Sequence, residues 1–381
     1  MTALPAAISF HEEIRERASA IEAERRMPAD LAARMAQQGM FRLLVPAEYG
    51  GLQVHPRTFF ETLEQTARSD GSVGWVLMIG ATTGIMSASL PEPWAQKLYA
   101  AKPHVITSGV TAPIGRAEVV DGGMRVTGRW PFGSGSQVSD WICGGCTVIE
   151  NGEPKLSAAG MPETLLVFFA ASEVTIHDTW DTSGLRGTGS NDIEVKDLFV
   201  PQGRWAVLGG RPQIDAPLYR FPTLGLLALG VSAVALGIAV HAIECFIDLA
   251  AGKVPTGSSR ALANRGSAQA DLARAEAAVS SARAMTFEAI DAAWEIASHG
   301  GRLDQNIKAR LRLAASNNTW SAVDAVDRLY HAAGGTSIYA ASDMQRCFRD
   351  VHVATQHIMV AQPTFEVVGK VMLGLDPKTM L

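Results

Sequence analysis

The chain reads as a mainly helical fold with a central β domain. It should comprise an N-terminal helical domain (residues 1–104), a middle β-barrel-like domain (105–217) and a C-terminal antiparallel four-helix bundle (218–381). Three observations predict this. Apolar residues recur at helical spacing up to about Leu90, alternate from about Val105, and return to helical spacing from about Leu218. Aromatic residues make up only 7% of the 381 residues while Ala and Gly are abundant, a balance that suits closely packed helices better than an aromatic-rich β-sandwich. An apolar content of 47% supplies enough core for more than one subdomain.

In the first domain Phe10, Ile14, Ala18 and Ile21 form a stripe on one helix face. "PADLAARMAQQG" predicts a second helix with Pro28 in its first turn and Gly39 as its stop. "LLVPAEYGG" breaks the pattern, and "DGSVGWVLMIGATTGIMSASL" predicts a buried helix entered through Asp70, Gly71 and Ser72. In the β block, "EVVDGGMRVTGRWPF" alternates and turns at Asp121-Gly122-Gly123, and "DWICGGCTVIENGEPKL" turns at Asn151-Gly152. "TLLVFFAASEVTIHDTW" and "NDIEVKDLFVP" complete the block before a link marked by Pro212 and Pro217. Thr223 to Ile243 is long and apolar enough to span a bilayer. Its Gly, Ala and Ser content and its lack of Lys/Arg asymmetry read instead as a helix buried on all sides. Three further helical stretches with short links follow, the last running through "RCFRDVHVATQHIMVAQ", and together they predict the bundle.

Composition narrows the function. A net charge of −5 and a pI near 6.0 offer no electrostatic footprint for nucleic acid or an anionic membrane. "MTALPAAISFHEEIRERASA" lacks a basic segment followed by an apolar one, so a cytoplasmic location is expected. Cys143 and Cys146 form a C-x-x-C without the second pair of a zinc ribbon, and they read as structural thiols of a strand in a reducing compartment, with no metal site. No G-x-G-x-x-G opens a helix after a strand, so the chain has no evident nicotinamide domain of its own and any redox chemistry would draw its electrons from elsewhere. "FGSGS" is not a strand-to-helix nucleophile elbow. It is either a tight turn or a small-residue surface where backbone N–H groups and a hydroxyl approach a flat ligand.

His352 and His357 stand among apolar residues near the end of the chain. By composition alone each reads as a core or interface histidine. On a continuous helix, residues five apart are turned by about 140°, which sets the two rings on different faces and disfavours a shared metal. Asp350 would share the face of His357 but stand about 10 Å away along the axis.

Taken in order, "LLVPAEYGG", "WDTSGLRGTGSNDIEVKDLFVP" and "HAAGGTSIYAASDMQRCFRD" resemble the acyl-CoA dehydrogenase family over nearly the whole chain. Within that fold, "ITSGVTAPIGRAEVVDGGMRVTGRWPFGSGSQVSDW" and "GLRGTGSND" are similar to the flavin-dependent monooxygenase branch, the oxygenase components of two-component aromatic hydroxylases and desulfurisation monooxygenases. The dehydrogenases commonly carry a catalytic Glu after the Arg-Asp pair; counting from Arg349, that place falls on Ile358 and the preceding one on His357. The resemblance therefore implies oxygen chemistry. Reduced FMN or FAD would arrive from a separate reductase, O₂ would be co-substrate, and a homotetramer would hydroxylate a small aromatic or heteroaromatic substrate, such as an indole or phenol, through a flavin C4a-hydroperoxide.

The resemblance also implies residue roles. His357 would be the acid/base. Ser134 would support flavin N5, in a flavin-binding stretch with Trp130, Phe132 and Gly135. Thr107, Ser108 and Gly109 would meet the pyrimidine edge, while Gly334, Gly335 and Arg260 would serve the phosphates from a neighbouring subunit. Trp75, Met78, Ile79, Thr82, Met86 and Met359 would line an apolar substrate pocket suited to a neutral ring. Several members of that branch carry a substrate-side histidine in the helix where this chain has none and offers Thr82 and Thr83, and some carry another shortly after the Ser-Gly, where this chain has Val138. Alternatives are N- or S-oxygenation on the same scaffold, an acyl-CoA dehydrogenase with its base displaced to Glu244 or Glu276, or a non-catalytic flavin-binding protein.

Overall fold

The computed structural model describes residues 3–379 and 381. Helices α1 (Ala3–Ser9), α2 (His11–Glu24), α3 (Ala29–Gln37), α4 (Pro56–Ser69), α5 (Gly71–Gly84) and the short α6 (Glu92–Ala95) precede the strands. Helix α5 starts where Asp70 caps it, its carboxylate accepting the Val73 N–H at 3.0 Å. Every α5 residue except Ile79 is buried, because the helix lies between α4 and the first strand and also meets the first long helix of the bundle.

Eight strands follow: β1 (Thr107–Val120), β2 (Gly123–Trp130), β3 (Trp141–Glu150), β4 (Glu153–Pro154), β5 (Thr164–Ala170), β6 (Thr175–His177), β7 (Asp192–Pro201) and β8 (Trp205–Ala206). They form one sheet in the order β6-β7-β2-β1-β3-β5-β8, with β4 paired to β3. The central β1–β3 pair is parallel, and its register breaks between Val110 and Gly115. The sheet has its own core, which includes Val126, Trp130, Ile142, Phe169 and Ile193. Trp130 is fully buried there because Gly115, Gly128 and Gly144 leave the room that side chains would fill.

After the short α7 (Pro217–Arg220) come α8 (Thr223–Gly252), α9 (Gly266–Ser298), α10 (Gln305–Ala333), α11 (Asp343–Ala354) and α12 (Pro363–Met372). Helix α8 packs against α4, α9, α10 and α11. The two windows apolar enough to cross a membrane, within Gly71–Ala88 and Thr223–Gly252, are each 89% buried inside the fold, as befits core helices. The fourth member of the bundle departs from the sequence expectation. It is two shorter helices, and the chain between them, Thr355 to Gln362, forms turns. The helical rotation between His352 and His357 therefore does not apply. They are separated because α11 ends at Ala354.

Candidate active site

A cavity of about 390 Å³ opens where α5, β1, the sheet loops, α8 and the turn after α11 meet, a size suited to small-molecule binding. Trp75, Met78, Ile79, Thr82, Thr83 and Met86 of α5 form one wall. Gly109 and Val110 of β1 face it, joined by Thr111 and Ala112 where β1 leaves its ladder with β3. Phe132 and Ser134 come from the turn between β2 and β3, and Trp180, Leu185, Thr188 and Ser190 from the loop between β6 and β7. Val353, Gln356, His357, Ile358 and Met359 close the far side.

Two non-glycine residues of the lining, Phe132 and Leu185, have positive φ of 65° and 48°. Such backbone persists only where its surroundings hold it. Phe132, 65% exposed at the mouth, stands edge-on to Trp180 at 6.2 Å. Leu185 is clamped from both sides: its N–H donates to Asp350 at 2.6 Å, and its carbonyl accepts from Thr188 Oγ1 at 2.8 Å and Trp180 Nε1 at 3.1 Å. The clamp depends on close approach, since a Cβ at Gly184 would overlap the Arg349 backbone. Arg349 donates to the Ser183 carbonyl at 2.6 Å. The Arg349-Asp350 pair is thus the device by which α11 holds the 183–185 segment.

Three hydroxyls run inward from Leu185. Thr188 Oγ1 and Ser190 Oγ are 2.6 Å apart, Ser190 Oγ and Ser134 Oγ are 2.6 Å apart, and Ser134 Oγ accepts from Trp75 Nε1 at 3.2 Å. All three hydroxyl residues are buried.

His357 follows α11 with its ring edge-on to Trp75 at 5.6 Å. Its Nδ1 accepts the Met359 N–H at 3.3 Å, so the neutral ring carries its proton on Nε2 and is a donor there. Burial, and then the charge of Arg312, push its pKa down to about 4. Arg312 also donates to the Met359 carbonyl at 3.1 Å, and Trp320 to the Val360 carbonyl at 3.1 Å, which pins the turn. His352 points elsewhere and meets Asp327 at 2.9 Å.

The N-terminal part matches "Acyl-CoA dehydrogenase, N-terminal domain" over residues 6–91, and the C-terminal part matches "Acyl-CoA dehydrogenase, C-terminal domain" over 229–362. The indole-3-acetate monooxygenase of Pseudomonas putida is 34% identical over 98% of this chain and 94% of its own. The oxygenase subunit HsaA of Mycobacterium tuberculosis, a flavin-dependent monooxygenase, is 29% identical over 96% of this chain and 93% of its own. A crystal structure of HsaA from M. tuberculosis superposes with a TM-score of 0.90 at 29% identity, covering 99% of this chain and 98% of that one. The chain belongs to the flavin-dependent monooxygenases of the acyl-CoA dehydrogenase family.

This monooxygenase has a cavity whose chemistry fits a flavin. Its walls are apolar, and its polar groups are a hydroxyl cluster at Ser134 and the His357 donor. Of the residues singled out from sequence, Trp75, Met78, Ile79, Thr82, Met86, Gly109, Phe132, Ser134, His357 and Met359 meet around this one space. Thr107 and Ser108 are buried in β1 without lining it, Gly135 adjoins Val76, and Trp130 lies inside the sheet with its indole N–H on the Gly145 carbonyl. Arg260, Gly334 and Gly335 are exposed and stand outside the cavity of their own chain. Sequence reading missed Thr188 and Ser190 as lining residues, although they lie within the quoted "GLRGTGSND". It also missed Cys143, whose thiol burial pushes up to about 12.

The displaced-base alternative loses its residues: Glu244 is engaged by Arg15 and Arg68, Glu276 accepts from Ser280 at 2.7 Å on the surface, and neither lines the cavity. Away from the cavity, His241, Cys245 and Cys347 bring ligand atoms within 4.8 Å of one another. Arg15 donates to the His241 ring, and burial followed by the Arg15 and Arg346 charges holds its pKa well below the ordinary value. Those same charges oppose a divalent cation.

Proposed function

We propose that this monooxygenase accepts reduced FMN or FAD from a separate reductase and, with O₂, hydroxylates a small neutral aromatic or heteroaromatic molecule such as an indole. Reduced flavin, when bound, supplies the electrons that activate O₂ for transfer of one oxygen atom to the ring. The observation that carries the reading is the lining itself: among the described residues no Asp, Glu, Lys or Arg lines the cavity, and His357 is neutral. Trp75, Met78, Ile79 and Met86 exclude water and offer a flat ring apolar and aromatic contact. Ser134 offers a hydrogen-bond acceptor and His357 Nε2–H a donor. Arg312, whose charge reaches His357, is turned to the Met359 carbonyl and is unsuited to pairing with a substrate carboxylate in the cavity.

Incubating the protein with chemically reduced FAD or FMN, ¹⁸O₂ and either indole or indole-3-acetate tests this. One ¹⁸O atom should appear in hydroxylated indole, with a KM at least about tenfold below that for the acid, the discrimination expected of a site that leaves a carboxylate unpaired. Flavin oxidation to peroxide with no labelled product from any aromatic ring would overturn the activity. A preference for the acid would overturn the neutral substrate class.

A homotetramer in the cytoplasm completes the reading. Ile338, Tyr339, Met372 and Leu373 are 64–77% exposed, large apolar side chains that association would cover. Light scattering should give about four times the 40.5 kDa of one chain, and a monomer mass would remove this assignment.

A further inference from the structure

We infer that Thr188 and Ser190 are positioning residues that fix the direction of the Ser134 hydroxyl, making the site selective for the reduced state of flavin. This rests on the reading that a flavin occupies the cavity with N5 against Ser134.

The direction follows from the Leu185 end of the hydroxyl chain. The Leu185 carbonyl can only accept, and it lies 2.8 Å from Thr188 Oγ1, so the Thr188 hydrogen is committed to it. Thr188 must then accept from Ser190, and Ser190 in turn from Ser134, at 2.6 Å each. At the other end the Trp75 indole N–H can only donate, and it donates to Ser134 at 3.2 Å. The Leu185 end fixes the sense, and the Trp75 end is compatible with it, because Ser134 can take that N–H on one lone pair while its own hydrogen goes to Ser190. Reversing the chain would leave the Thr188 oxygen facing the Leu185 carbonyl with no hydrogen between them. Hydrogen bonds aligned in one sense also strengthen one another.

Ser134 therefore has no hydrogen to give to the cavity. Its hydrogen goes to Ser190, one lone pair takes the Trp75 N–H, and the second lone pair remains. Reduced flavin carries a hydrogen on N5 and can donate to that lone pair. Oxidised flavin has a bare N5, which would set one acceptor against another in a buried site, an arrangement with an unmet hydrogen bond. Leu185, the anchor of the whole chain, is itself held by Asp350.

The test is binding, measured for wild type and variants with oxidised FAD and FMN in air and with the dithionite-reduced forms under anaerobic conditions. Wild type should bind the reduced form at least about tenfold more tightly. Ser190→Ala and Thr188→Val free the Ser134 hydrogen, so affinity for oxidised flavin should rise and the preference fall to within about threefold of unity. Thr188→Ser keeps the hydroxyl and should keep the wild-type ratio. It serves as the reference should the other two variants fold poorly. A ratio unchanged in Ser190→Ala and Thr188→Val, or lost equally in Thr188→Ser, would overturn this inference alone. Wild type that binds neither redox state would overturn the functional reading beneath it.

Discussion

His357→Ala is expected to lower kcat for substrate hydroxylation by about 10²–10³-fold, the usual cost of removing one preorganised donor from a water-excluded site. Flavin affinity should change little. The expectation rests on the tautomer: Nδ1 is occupied by the Met359 N–H, so Nε2–H is the donor the ring has to offer. His357→Gln, which can place an amide N–H near the same position, should retain more activity than His357→Ala. The ordinary histidine value of 6.5 would put a titration in the working range, but burial and Arg312 place this one at about 4. kcat should accordingly be flat from pH 8 to pH 5. The same displacement bears on stability. A folded-state pKa below the unfolded one means that the contribution of neutral His357 is present above about pH 6.5 and lost as pH falls through about 4. Turnover unchanged in His357→Ala, or a loss of kcat centred near pH 6.5 that vanishes in His357→Gln, would remove the donor role.

The three-part chain was legible because period changes mark it: the switch to alternation falls within a few residues of β1 at Thr107, and the turns at Asp121-Gly122 and Asn151-Gly152 separate strands as expected. The α5 wall was legible too, since an apolar run capped by Asp70 must be buried on most sides. What escaped was set by tertiary contact. Trp130 shares a motif with Phe132 and Ser134, yet strand alternation and three facing glycines turn it into the sheet. The end of α11 at Ala354 carries no Gly or Pro signal within Thr355 to Gln362; the turn is held by Arg312 and Trp320 of α10, partners some forty residues away. Thr188 and Ser190 became meaningful only when a loop in left-handed backbone brought them to Ser134. Local pattern predicts elements well and the meeting of loops poorly.

Asp350→Ala should destabilise the fold by about 3 kcal/mol or more, the cost of removing one member from a buried charged network. The effect should reach the cavity, because the Leu185 N–H would lose its acceptor and the anchor of the hydroxyl chain would be released. Asp350→Asn separates geometry from charge, since the amide oxygen can still accept that N–H. Asp350 is pushed up to about 7, chiefly by burial and then by the charge of Asp70, which burial raises as well; Arg346 lies between them in effect, 3.9 Å from Asp70. Unfolded, the group would titrate near 3.8. Its raised folded-state value means that the stability it contributes is full below about pH 3.8 and is lost as pH rises through about 7. Asp350→Asn has no proton to lose there, so its Tm relative to wild type should increase from pH 5 to pH 8. Asp350→Ala has also lost the titrating group, so its deficit should narrow over the same range while its Tm stays below that of Asp350→Asn at every pH. Equal Tm values for the two variants would show that the Leu185 contact carries no weight. A relative Tm for Asp350→Asn that falls with pH would show that Asp350 is ionised at no cost, and the clamp would then be an ordinary charged hydrogen bond.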